Sequence, residues 1–189
     1  MDEHQDRLRE EGQGIIARLG LLDLLRVWGE ARVVGSVALG LVVRRDMDIH
    51  VLVPGKQVLE TAVWGTCSAL FARGAGRELR VTDYRWEREA LKVAIDNYPG
   101  SSGPWSIDIW MTTRPESTAF AATEHLRATL TAEARSAILA LKRRYDACGL
   151  LKDGLSAEIY EAVTCGGVKT VEEFEVWRGR DREGRSGGG

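Results

Sequence analysis

Residues 46 to 51 read Asp-Met-Asp-Ile-His-Val, an alternation of ionisable and apolar side chains with a period of two. An extended strand sends alternate side chains to opposite faces, so this stretch predicts a half-buried β-strand over 46–53, ended by Pro54-Gly55. Its apolar face, Met47, Ile49 and Val51, must be covered, and its other face carries Asp46, Asp48 and His50. A chain built around such a strand folds as a sheet with one covered face, not as a helical bundle. The same pleat sets the two carboxylates on one side, about 6.5 to 7 Å apart along the strand. Like charges so placed repel unless a cation lies between them. Hard oxygen ligands of this kind suit Mg²⁺ or Mn²⁺. Taken alone, the pair reads more simply as two acids facing water.

The surrounding chain supplies the other elements of a mixed α/β fold. Residues 3–28 have apolar spacings of three and four at Ile15, Ile16, Leu19, Leu22 and Leu25, which predict helix, with Gly12, Gly14 and Gly20 as candidate breaks between two helices. Ala31 to Val34 is a strand candidate that ends at Gly35, with a turn or short helix through Leu41. A helix over 57–71 would turn Val58, Thr61, Ala62 and Cys67 inward, and 80–85 is a further strand candidate. Residues 91–95 and 105–111 read as a hairpin around the turn-rich Asp-Asn-Tyr-Pro-Gly-Ser-Ser-Gly-Pro.

Beyond residue 114 the pattern is helical. Thr131 and Ser156 are candidate caps, and Thr170 with Glu173 has capping-box spacing. This organisation predicts a first domain over 1–113, a helical region over 114–178 and a polar, glycine-rich, disordered tail over 179–189.

Two more features carry chemistry. Gly35-Ser36 follows a strand and precedes a short helical stretch. Glycine permits close backbone approach, a helix start offers N–H groups to a phosphate, and Ser36 adds a hydroxyl. A plain turn is the commoner meaning of such a pair. Asp108 sits in Trp-Ser-Ile-Asp-Ile-Trp-Met, and an ionised carboxylate in so apolar a strand needs a cation or a donor network.

Together, Gly35-Ser36, nine intervening residues, Asp46-Met47-Asp48-Ile49 and a later Ile107-Asp108-Ile109 resemble the pattern of the nucleotidyltransferase superfamily related to DNA polymerase beta. The match spans about residues 31 to 111. The resemblance implies a mixed sheet with helices on one side and the three carboxylates gathered beside the Gly-Ser turn. It implies transfer of a nucleoside monophosphate from a nucleoside triphosphate to an acceptor hydroxyl. Asp46, Asp48 and Asp108 would be metal ligands and catalytic groups, with Asp108 also the candidate general base. Gly35, Ser36, Arg44 and Lys142 are the candidate nucleotide-binding residues. Arg44 otherwise reads as a solvated loop residue, and Lys142, seven residues after Arg135, as part of a charged outer helix face. His50 reads as a hydrogen-bonded strand histidine before an acceptor contact, and Trp110, of the same parity as Asp108, as a core residue or a base-stacking platform. A module that binds nucleotide without turnover, or a toxin–antitoxin type of regulator, is the alternative on the same fold.

Composition narrows the partners. A net charge of -2 gives no global attraction for polyanions, so a small-molecule or protein acceptor is expected ahead of a polynucleotide. The C-terminal helices offer a surface for a second copy or a protein partner. No apolar run has the length of a membrane span or a signal-peptide centre, and the three cysteines lack disulfide or zinc spacing. A cytoplasmic protein with ordinary buried thiols is the expectation.

Overall fold

The computed structural model describes residues 3–76, 78–152 and 154–186 of the chain, which divides into two compact units, 1–127 and 128–189. The first unit is a five-stranded sheet. The chain runs through α1 (Glu3–Leu19), α2 (Leu21–Arg26), β1 (Glu30–Val34), α3 (Gly35–Leu39), β2 (Asp46–Leu52) and α4 (Lys56–Ala72). It continues through β3 (Leu79–Tyr84), α5 (Arg85–Arg88), β4 (Ala90–Tyr98), β5 (Trp105–Thr112) and α6 (Phe120–Thr129). The break between α1 and α2 falls at Gly20, whose φ of 55° is left-handed.

The strand order is β1-β2-β5-β4-β3. Neighbours pair antiparallel except β2 and β5, which are parallel. A parallel pair cannot be closed by a hairpin, so the chain crosses over through α4, β3 and β4 before β5. The predicted hairpin is β4 and β5. β4 runs on to Tyr98 past an irregularity between Ile95 and Tyr98, where Asn97 takes a positive φ.

Alternation along β2 and β5 decides which face is covered. Met47, Ile49, Val51, Ile107, Ile109 and Met111 are buried, and Leu91, Val93 and Ile95 of β4 join them. Leu8, Ile15, Leu21 and Leu25 of α1 and α2, and Leu59, Val63 and Leu70 of α4, complete this cluster. Asp46, Asp48, His50, Asp108 and Trp110 lie on the opposite, half-exposed face. Within α4 the inward residues are Leu59, Ala62, Val63, Thr66, Cys67 and Leu70. The expected inward Thr61 is exposed and Val58 is half-buried, because the buried stripe is centred on Leu59 and Val63.

The second unit is helical: α7 (Ala132–Ala147), α8 (Leu155–Thr164) and α9 (Val171–Ser186). Thr131 caps α7, its Oγ1 accepting the Ala134 N–H at 3.1 Å. Thr170 and Glu173 form the reciprocal capping box before α9. Ser156, in contrast, lies inside α8, whose cap is Gly154 at φ 83°. The left-handed turn at Gly154 starts the helix before the serine is reached. Tyr145 and Phe174 meet edge to face, with ring centroids 5.5 Å apart.

The unit boundary falls after Arg127 because residues beyond 113 remain tied to the sheet. Thr123 accepts from the Gly35 N–H, and the Ala119 N–H donates to His50. Helix α9 runs to Ser186, into the stretch whose composition predicts a disordered tail; residues 187–189 of that tail lie outside the described residues. Cys67 is buried, but Cys148 and Cys165 are exposed free thiols, contrary to the expectation of buried ones. They stand at the ends of α7 and α8, where the chain leaves the packed helix faces. Among the described residues no helix is long and apolar enough to cross a membrane.

Two glycines test this packing. A Cβ added at Gly65 of α4 would fall 2.3 Å from Cζ2 of Trp28, so Gly65→Ala must displace an indole. The expected loss is about 1 to 3 kcal/mol. Gly14 of α1 meets nothing within 4 Å, so Gly14→Ala is expected to raise stability by up to about 1 kcal/mol through helix propensity. Urea unfolding of the two variants beside the wild type checks both signs.

Candidate active site

The site is assembled by register. β2 and β5 set Asp48 directly across from Asp108, and Asp46 across from Ser106. Facing positions on neighbouring strands share a face, so the three acids stand on one side of the sheet. β1 pairs Val34 with Asp48, and the chain turns into α3 at the next residue. Gly35 makes that turn at φ 62°, a left-handed conformation that strains any other residue. Its backbone lies against the acid: a Cβ built there would stand 3.7 Å from Asp48 Oδ2. Ser36 follows, nearly buried. The sequence-predicted Gly35, Ser36, Asp46, Asp48 and Asp108 thus fall together on adjoining elements of the first unit.

Cations neutralise part of this charge. Arg44 Nε donates to Asp46 Oδ2 at 2.8 Å, so Arg44 is a partner of the first acid. Lys92 of β4 places Nζ 3.1 Å from Asp108 Oδ2. Sequence reasoning passed over Lys92. Its signal was there, a lone lysine of the parity of Ala90 and Ala94 in the otherwise apolar stretch 90–95. Lys142 belongs to the second unit. It is buried, its Nζ donating to the Tyr160 hydroxyl at 3.1 Å, so it is no part of a solvated outer face.

Trp110 lies beside the acids on the same face, half-buried, while Trp105 is wholly buried in the core. The Tyr84 ring is centred 4.9 Å from that of Trp110, and Lys92 Nζ and Arg88 Cζ stand 5.2 and 5.4 Å from its centroid. His50 Nδ1 accepts the Ala119 N–H at 3.0 Å, so the neutral ring carries its proton on Nε2. Burial, and after it the Arg88 charge, pushes His50 down to about 4. Thr123, also unforeseen, is buried and takes the Gly35 N–H at 3.3 Å. These two residues anchor the segment after β5 to the edge of the site.

The donor set fits a divalent ion in chemistry: three carboxylates on one face, at neighbouring strand positions. Asp46 and Asp108 are engaged by Arg44 and Lys92 instead. Among the described residues no group of three His, Cys, Asp or Glu side chains is arranged to hold a metal. Two cavities in the first unit, of about 250 Å³ beside Lys56, Arg85 and Glu89 and about 550 Å³ beside Arg7, Arg18 and Ser101, are not lined by the acids.

Known structures share this arrangement of elements. One is the Cid1 poly(U) polymerase with MgGTP bound, at 20% identity and TM-score 0.58 over 75% of this chain and 43% of that one. Another is a cytoplasmic RNA terminal U-transferase, at 17% identity and TM-score 0.58 over 86% of this chain and 48% of that one. A third is Cid1 with its short product ApU, at 18% identity and TM-score 0.55, over 75% and 42%. The chain has the nucleotidyltransferase fold. It is the fold that the Gly-Ser and Asp-x-Asp spacing predicts, with the strand-borne third acid in the expected place. No family model and no curated protein sequence matches the chain. It spans less than half the length of each of these three structures, and likeness at this identity establishes the nucleotidyltransferase architecture alone.

Two measurements probe the anchors. Thr123→Val removes the acceptor of the Gly35 N–H with little change of shape, and a stability loss of about 1 kcal/mol is expected in denaturant titration. For His50 the native ring resists protonation until about pH 4, whereas the unfolded ring takes its proton near 6.5. Stability therefore falls with pH between those values, by at most about 1.4 kcal/mol per unit, and is unaffected above 6.5. In chelator-treated protein, the stability gap between wild type and His50→Ala is expected to narrow from pH 6.5 to 4. A constant gap would refute the depressed value.

Proposed function

We propose that the protein is a metal-dependent nucleotidyltransferase that moves a nucleoside monophosphate from a nucleoside triphosphate to an acceptor hydroxyl. The observation that carries the reading is the β2–β5 register, which sets Asp48 against Asp108 beside the positive-φ turn at Gly35. A binding site for an anionic nucleotide gains nothing from three crowded carboxylates unless a cation joins them. The Mg²⁺-nucleotides held by the Cid1 structures support the same reading.

Asp46, Asp48 and Asp108 would hold Mg²⁺ or Mn²⁺, which when bound neutralises charge on the phosphates and acidifies the acceptor hydroxyl. Gly35 and Ser36 receive the triphosphate, the glycine by close backbone approach and the serine by its hydroxyl. Arg44 turns from Asp46 towards the phosphates. The acceptor oxygen bonds to the α-phosphorus, its proton passes to the Asp108 carboxylate, and the bond to the bridging oxygen breaks to release pyrophosphate. Lys92 parts from Asp108 and keeps its charge beside the reacting centre. The protein contributes position and electrostatics, with no covalent intermediate.

A second reading, a module that binds nucleotide without turnover, draws on the pairing of Asp46 with Arg44 and Asp108 with Lys92. Asp108→Asn separates the two. If Asp108 takes the proton, pyrophosphate release falls at least about a hundredfold, while Mg²⁺-dependent triphosphate affinity changes far less. Calorimetry with Mg²⁺ and with chelator, beside a pyrophosphate assay and a melting curve, reads all three quantities. Undiminished turnover in a folded Asp108→Asn protein would remove Asp108 from the reaction. Triphosphate binding that ignores the chelator would remove the metal site.

A further inference from the structure

The polar face of the sheet extends beyond the carboxylates on one side only as far as β1, and on the other across β4 to β3. The first flank holds the Gly35-Ser36 turn. The second holds Lys92, Trp110 and Tyr84, with Arg88 at the end of α5. On the nucleotidyl-transfer reading, the attacking and leaving oxygens lie roughly in line through phosphorus. A pyrophosphate leaving towards Gly35-Ser36 therefore requires the acceptor to arrive over Asp108, from the second flank.

The chemistry of that flank is specific. The Trp110 indole is half-buried and so held in place, with the Tyr84 ring tilted 41° against it. The Arg88 guanidinium lies over the indole and is exposed; among the described residues no carboxylate pairs with it. Lys92, in contrast, is committed to Asp108. The segment Tyr84-Arg85-Trp86-Glu87-Arg88 interleaves aromatic and basic residues, and its Trp86 is 97% exposed. An indole and, over it, a guanidinium that no carboxylate holds fit a flat ring with an anionic oxygen group attached, the guanidinium moving from the ring face to the anion. A neutral saccharide or a protein hydroxyl side chain offers no anionic group to the guanidinium.

We propose that Trp110 and Arg88, with Tyr84, form the acceptor platform, and that the acceptor presents a nucleotide unit, a base stacked on Trp110 and a phosphate on Arg88. The unit comes either from a free nucleotide or from the end of a single strand.

The full chain with Mg²⁺ is titrated into a short fluorescein-labelled single-stranded RNA and followed by anisotropy, with AMP and inorganic polyphosphate as competitors. Binding is expected, and polyphosphate should compete far less well than its charge alone would give. Competition by AMP at concentrations comparable to the strand identifies a free nucleotide as the source; failure of AMP to compete identifies the strand. Trp110→Leu and Arg88→Met are each expected to weaken binding about tenfold or more, and Trp110→Phe to retain most of it. Arg88 is exposed, so its variant remains informative if Trp110→Leu is unstable. Neither variant should change Mg²⁺-triphosphate affinity by more than about twofold. No RNA binding, equal competition by polyphosphate, or wild-type affinity in both variants would overturn the platform. Loss of Mg²⁺-dependent triphosphate binding in the wild type would instead overturn the nucleotidyl-transfer reading.

Discussion

The parallel pairing of β2 with β5 is the constraint on which the rest depends. It brings Asp48 and Asp108 to facing positions from parts of the chain far apart in sequence. It also forces a crossover, and α4 lies in that crossover with its buried stripe against one face of the sheet. The long amphipathic helices α1 and α4 are thereby spent on the face of Met47, Ile49 and Ile107. The acidic face stays half-exposed. Slipping β5 by one residue would send Asp108 into the core and Ile107 and Ile109 to the acids, so apolar burial enforces the site geometry.

Crowding two carboxylates across a strand pair costs free energy that the backbone ladder and the buried face must offset. Arg44 and Lys92 reduce that cost, but not equally. Arg44 and Asp46 are 43% and 32% exposed, and a pair so open to water contributes about 0 to 1 kcal/mol. Lys92 is 15% exposed and its partner 29%, with the Trp110 ring on the lysine's other side. Removing one member of so sheltered a pair strands the other's charge, which is the expensive case. Opening the site thus proceeds readily at Asp46. At Asp108 it requires a replacement charge, which on the proposed reading a divalent cation among the carboxylates would supply.

The sequence made legible what depends on short-range periodicity. The strand at 46–52, the hairpin at Asp108 and the capping box at Thr170 and Glu173 each follow from local spacing or turn chemistry, whereas the N-terminal helix break was open among Gly12, Gly14 and Gly20. The Gly-Ser and Asp-x-Asp spacing extended this to the architecture. What escaped depends on strand order. Lys92 is 16 residues from Asp108 in the chain and becomes its partner only through the β4–β5 register. Thr123 and His50 hold the chain after β5 through contacts 88 and 69 residues apart, which no periodicity announces. The inward face of α4 was misplaced at Thr61 because apolar and small residues alternate there too evenly for spacing alone to fix the stripe. Lys142 looked like a surface charge because sequence cannot show that Tyr160 offers its hydroxyl.

A net charge of -2 argues against a polyanionic acceptor only if charge is averaged over the molecule. At physiological ionic strength the screening length is about 8 Å, so a ligand responds to the residues within one or two strands of it. Over the acids, Asp46, Asp48 and Asp108 are opposed by Arg44 and Lys92, a local balance that repels phosphate. Over the neighbouring flank, Arg88 adds a cation that no carboxylate among the described residues pairs with. The charge that a ligand meets on this face therefore differs between the acids and the Arg88 flank. On the proposed reading a divalent cation at the carboxylates would reverse the first, leaving one continuous positive surface from Gly35 to Arg88. An anionic acceptor would then meet less repulsion at the carboxylates once the metal is in place, without any moving part.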